Sequence, residues 1–120
     1  MPANAPESAR TLSDDALAVP LSVDEVDPAS VLDGSPEVRS RALDTLGDVE
    51  VGIWEITEGT VTDTEIDEVF VVLAGAGEVA FESGETTTLA PGVVVRLHAG
   101  DRTTWTISST LRKLYIGHTG

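Results

Sequence analysis

From residue 49 onward the chain is a succession of short apolar stretches, each closed by a turn signal, and that rhythm leaves few folds open. VEVGIWEIT alternates strictly. Val51, Ile53 and Glu55 fall on one face of an extended strand, and Gly52, Trp54 and Ile56 on the other. EVFVVLAG (68–75) and EVAFES (78–83) follow, and Ser83-Gly84 allows a tight hairpin into ETTTLA (85–90). Pro91-Gly92 suits a type II turn, with proline fixing one φ and glycine supplying a positive one. VVVRL (93–97), the Ala99-Gly100 turn, RTTWTIS (102–108) and LRKLYIG (111–117) complete the series. Turn signals spaced roughly eight to twelve residues apart predict an all-β sandwich or barrel. No internal repeat and no long helical period interrupts them.

A chain of 120 residues suits one domain with one core. The division expected is a flexible N-terminal arm over residues 1–20, rich in Ala, Ser, Pro and acids, and a single domain over 21–120. Between them, Ser35-Pro36-Glu37 has the chemistry of a helix start, while an extended segment over 37–43 fits equally well. The chain has no cysteine, which excludes disulfides, thiolate metal sites and thiol nucleophiles. A formal charge of −14 repels phosphate backbones and anionic lipid, so neither nucleic acid nor a membrane surface is an expected partner. No apolar run approaches the roughly 20 residues of a membrane helix. MPANAPESARTLSDDALAVP lacks the basic start and apolar stretch of a signal peptide, so a cytoplasmic protein is expected. Among the basic residues only Lys113 is a lysine, and lysine can do proton chemistry that arginine cannot.

The segments VGIWEITEG, DEVFVVLAGAGEV, LAPGVVVRLHAGDRTTWTI and LRKLY, in that order, resemble the cupin superfamily. More narrowly, they are similar to the small cupins related to ureidoglycine aminohydrolase and the ethanolamine-utilisation cupin. The likeness spans residues 49–117 and implies a cupin double-stranded β-helix, a jelly-roll barrel around a small-molecule pocket. It also implies a homodimer. The superfamily's first metal motif has the form H-x-H, three or four residues, E, six residues, G. Glu68 and Gly75 match its end. The two histidine positions fall on Thr62 and Thr64 with three intervening residues, or on Val61 and Asp63 with four. In the second motif Gly92 and Gly100 fit, while the proline, histidine and asparagine positions hold His98, Thr103 and Ile107. Of four usual metal ligands only Glu68 remains, and a lone glutamate among threonines is no transition-metal site.

If Glu68 points inward as in that family, Phe70 and Val72 follow it on the same face. The inward phase of 102–108 carries Thr103 and Trp105, and Lys113 and Tyr115 share a face with Leu111. Glu68, Thr103, Trp105, Lys113 and Tyr115 are therefore the expected ligand-binding residues, with a Glu68–Lys113 pair at the centre of an apolar cavity. For Lys113 the competing reading is a solubilising charge beside Arg112 on a strand edge. Trp54 is expected in the core and Glu55 at the surface. His98 and His118 are expected in solvent, and Asp63, Glu65 and Asp67 on a solvated acidic rim. Ser109-Thr110 lacks the partners of a serine nucleophile, and AGAGEV lacks the helix and Lys-Ser/Thr of a phosphate loop.

The function expected is binding, with or without transformation, of a small polar metabolite in the barrel, with no His-ligated metal and no other cofactor. The sequence names no catalytic residue, leaves enzymatic activity open, and leaves room for a loosely bound divalent metal. The alternative is a catalytically inert cupin serving as a structural or dimerisation module. A metal-dependent enzyme with a carboxylate-rich site ranks third.

Overall fold

The computed structural model describes residues 10–119. Nine strands follow one another: β1 (Ser22–Asp24), β2 (Val31–Asp33), β3 (Val38–Leu46), β4 (Val49–Ile56), β5 (Gly59–Thr64), β6 (Glu68–Phe81), β7 (Thr86–Leu89), β8 (Val94–Leu97) and β9 (Arg102–His118). The helical content of the described residues is one short 3-10 turn, Pro28–Ser30. It is opened by the Asp27 side chain accepting from the Ala29 N–H. Among the described residues no helix is long and apolar enough to cross a membrane.

Two stretches expected as strand pairs are single long strands. EVFVVLAG and EVAFES are both β6, and RTTWTIS and LRKLYIG are both β9. Small residues make this continuity feasible. The register between β6 and β9 shifts at Val72/Ala74, Ala74/Ala76 and Ala76/Gly77, so β6 bends through bulges without leaving its partner. Gly75 has φ +94, and a Cβ there would strike the Thr110 carbonyl. The bend divides the curled sheet. The second half of β9 lies between β4 and the first half of β6, which pairs onward with β8. The first half of β9 lies between β5 and the second half of β6, which pairs onward with β7. Outermost are β1 against β3 and β2 against β5. This is an all-β barrel, the architecture that the cupin resemblance implies.

The predicted turns fall in place. The Val93 N–H bonds the Ala90 carbonyl across Pro91-Gly92, and Gly92 has φ +93. Of the two readings for residues 37–43, the extended one holds, as β3 paired to β4. Ser22–Asp24 and Val31–Asp33, which carry no clear alternation, become strands because β3 and β5 offer them free edges.

The alternation of VEVGIWEIT also holds. Ile56 faces inward with Phe70, Val72, Val79, Leu89 and Leu111 in one apolar cluster, each buried side chain of this kind contributing about 1.5–3 kcal/mol. Ile53 faces outward yet is 0% exposed, and Val19 is also buried outside that cluster. The expected arm over 1–20 lies partly outside the described residues. Of its remainder, Ala16 and Val19 offer carbonyls to Arg112 Nη1 at 3.0 and 3.2 Å.

Candidate ligand-binding cavity

At the end of the barrel away from Ile56 and Leu111 the interior opens into a cavity of about 1030 Å³. Register places its polar groups. Trp54 on β4 and Val72 on β6 both pair with Lys113 on β9, and Phe70 pairs with Tyr115. Directly opposed residues of paired strands share a face, so these side chains converge. On the other half of β9, Asp63 and Phe81 flank Thr103, and Val61 and Val79 flank Trp105.

Lys113 Nζ lies 2.6 Å from Glu68 Oε2, and the lysine is 5% exposed. Its ammonium is boxed by aromatic faces: Trp54, Phe70 and Trp105 ring centroids stand 4.6, 4.3 and 5.0 Å away. Each face adds an electrostatic attraction of about 0.5–2 kcal/mol. Ion pair and rings both act against the desolvation cost of a buried charge. The reading of Lys113 as a solubilising edge charge is therefore overturned.

Glu65 corrects a second expectation. It is 8% exposed, not on the rim. Its Oε2 accepts from Thr103 Oγ1 at 2.6 Å and from the Trp105 indole N–H at 3.0 Å. The spacing of Asp63, Glu65 and Glu68 in the sequence, D-x-E-x-x-E, held the signal. Strand alternation carries Val61, Asp63 and Glu65 to one face, and the break between β5 and β6 at Glu65–Asp67 lets Glu68 join them. Asp63 lies at the mouth. Its side chain reaches solvent, but the wall desolvates its carboxyl, and with Glu65 beside it the group is pushed up to about 6. Asp67 does lie outside: the Ala99 N–H and then Arg96 hold its carboxyl below the usual range.

Of the other expected residues, Thr103 and Trp105 line the cavity beside Glu65. Tyr115 lines it too, but its hydroxyl donates to Glu50 Oε2 at 2.6 Å and does not reach Glu68. Burial and then Glu50 raise its pKa above the ordinary tyrosine value. Gly52 makes that position available, since a Cβ there would collide with the Tyr115 hydroxyl and the Arg41 carbonyl. Trp54, expected as core, is half-buried and lines the cavity. Glu55 is on the outer face, bonded by Arg112 Nε at 3.1 Å. His98 and His118 are exposed.

The model of the EutQ-like cupin domain matches residues 43–115. The chain belongs to the EutQ-like cupin family. No curated protein matches it. Among solved structures, a protein of unknown function from Pseudomonas syringae pv. tomato aligns with a TM-score of 0.74 and 27% identity over 85% of this chain. This EutQ-like cupin spans only 45% of that protein's length. The EutQ protein of Clostridium difficile aligns at TM-score 0.62 and 22% identity, over 79% of this chain and 80% of its own. Ectoine synthase from P. lautus aligns at 0.58 and 20%, over 78% and 72%. The last two likenesses speak for the fold alone.

The metal positions implied by the superfamily pattern can be tested against these side chains. Val61 is in the core and Thr62 Oγ1 turns toward the Ser30 carbonyl, so the reading in phase with the barrel is Val61 and Asp63. The four positions then hold Val61, Asp63, Glu68 and Thr103, of which Val61 offers no metal-binding atom. Among the described residues no three His, Cys, Asp or Glu are grouped to hold a metal ion. Glu68, the one matching ligand, already faces the Lys113 ammonium. This donor set does not fit a transition metal.

Proposed function

We propose that this EutQ-like cupin binds a small polar metabolite in its barrel, with Glu68, Thr103, Trp105, Lys113 and Tyr115 on the wall and no tightly held transition metal. The observation that carries this is the Glu68–Lys113 pair, 2.6 Å apart and buried at the floor of an open cavity. A buried pair is a weak source of stability, because apolar residues of the same volume serve as well or better. Its place beside an open cavity points to use. Aromatic walls around a few convergent polar groups are the usual make-up of a small-ligand site.

The protein carries its own reporter. Trp54 and Trp105 are its two tryptophans, and both line the cavity. Intrinsic fluorescence should change saturably with at least one class in a panel of amines, amino acids, hydroxy acids and sugars. If no class saturates up to about 1 mM, a binding free energy near −4 kcal/mol, the reading fails.

A second reading concerns the outside of the same strands. Val69 pairs with Ile116, and Val71 pairs with both Leu114 and Val94, so these five share one outward face. Val69, Val94 and Ile116 are exposed there. The Arg96–Asp67 ion pair borders this face, so on a chain of charge −14 it is ground where two copies can meet mainly through apolar side chains. We infer a homodimer through it. Sedimentation should show a dimer that Val69→Asp converts to a monomer; a monomeric parent protein overturns the reading.

A further inference from the structure

The acids of the cavity wall outnumber its bases. Glu25, Asp27, Asp63, Glu65, Glu68 and Glu82 line it, against Arg102 and Lys113. Both bases are already engaged: Arg102 lies 3.8 Å from Glu82, and Lys113 2.6 Å from Glu68. Among the described residues no cation comes within salt-bridge distance of Glu25, Asp27, Asp63 or Glu65.

A surplus of acids alone would describe a solvated rim. The deep carboxylates show something more. Glu65 and Glu68 are both about nine-tenths buried. Each uses only one oxygen: Glu65 Oε2 serves Thr103 and Trp105, and Glu68 Oε2 serves Lys113. Neither Oε1 has a hydrogen-bond partner among the described residues. Yet among the described residues no side-chain oxygen is both sealed from solvent and unbonded. Each Oε1 therefore stays accessible, and because both residues line the cavity it is there that the two oxygens are available as acceptors.

We infer that the cavity takes an organic cation, an ammonium compound whose N–H groups donate to the free oxygens of Glu65 and Glu68 and whose carbon part lies along the aromatic wall. This rests on the binding function proposed above and names its ligand class. Low-dielectric walls focus the field of fixed charges, so the uncompensated carboxylates draw cations in and exclude free carboxylates. An organic ammonium suits the site better than a divalent ion for two reasons. The carboxylates are not grouped for metal coordination, and the fixed Lys113 charge against Glu68 repels a dication more strongly than a monocation.

Three probes of one shape separate the outcomes: n-butylammonium, n-butanol and butyrate, each titrated against tryptophan fluorescence with and without EDTA. Butylammonium should saturate the signal at least tenfold more tightly than butanol, and butyrate should not compete. Glu65→Gln should weaken butylammonium at least tenfold and leave butanol unchanged, with the melting temperature checked to show that the variant folds. Asp63→Asn, at the mouth and tied only to the Thr64 N–H, provides a variant that does not disturb the buried bonds and should weaken it severalfold.

The pH profile adds an independent readout. Asp63 faces Glu65, Glu68 and Lys113, and its carboxyl is pushed up to about 6. Glu25, Asp27, Glu82 and Arg102 share the wall. Protonating Asp63 removes a negative charge, so butylammonium affinity should fall as pH drops through about 6 and proton release should accompany binding. Tighter binding of butyrate than of butylammonium overturns the cation inference and leaves the binding function standing. So does loss of the butylammonium signal in EDTA, which would assign the site to a divalent metal. Failure of all three probes also overturns it, and the binding function falls with it only if the metabolite panel fails as well.

Discussion

Arg112 and Lys113 are neighbours in sequence, and their side chains point through opposite faces of the same sheet. Outside, the Arg112 guanidinium spreads its donors over Glu55 and the carbonyls of Ala16 and Val19. Inside, the Lys113 ammonium makes one hydrogen bond to Glu68 and rests among three rings. A planar fork of donors fits a fixed set of acceptors, and a compact point charge fits a place where partners change. The outer cation fastens chain to chain, and the inner one is left with room beside it.

Breaking the inner pair should have the largest effect. Lys113→Met strands Glu68 and should destabilise the protein by about 3 kcal/mol, read from urea melts. The double variant Glu68→Leu/Lys113→Met should recover most of that loss, because apolar groups of similar volume replace a buried pair well. No recovery would mean that the pair is there for stability, and the contrast with Arg112 would collapse. Arg112→Lys keeps the charge but loses the fork. It should cost about 1–2 kcal/mol, and limited proteolysis should quicken within residues 10–20. Unchanged proteolysis would show that Ala16 and Val19 are held by something else.

The smallest effect is expected at the mouth, at Asp63→Asn. The Asp63 folded pKa, about 6, stands above its ordinary 3.8. Its favourable contribution is therefore present below about 4 and is lost as pH rises through about 6. The asparagine variant should be slightly more stable than the parent at about pH 7.5 and equal to it at about pH 3. Solvent at the mouth keeps the difference small. Equal stability at both pH values would remove Asp63 from the field around Lys113.

The extended stretches after residue 49, their turns and the inward phase of Glu68, Trp105 and Lys113 were legible because each rests on local chemistry: period-two alternation, glycine and proline at turns, and a barrel that must fill its interior. The Glu68–Lys113 pair was legible for the same reason, since inward phase on paired strands leaves few places for a charge to go. Glu65 was not, because its burial depends on the exact length of the bend before Glu68 and on Thr103 and Trp105 some forty residues away. Tyr115 shows the limit in the other direction. Its face could be read, but its hydrogen bond to Glu50 is a matter of rotamer and of the space Gly52 leaves. The fusion of strands into β6 and β9 was hidden because bulges imitate turns in a linear pattern.

That fusion also bears on how the barrel is assembled. β9 pairs with β4, β5 and β6, and it follows all of them in chain order. Until it arrives, the first half of β6 and β4 share no neighbour, nor do its second half and β5, so neither side of the barrel can close. A chain emerging in order must hold its earlier strands open, with apolar edges exposed, until Arg102–His118 slides in last. The strand that carries the buried lysine is thus also the one that completes the fold, and an incompletely folded chain has no cavity to fill.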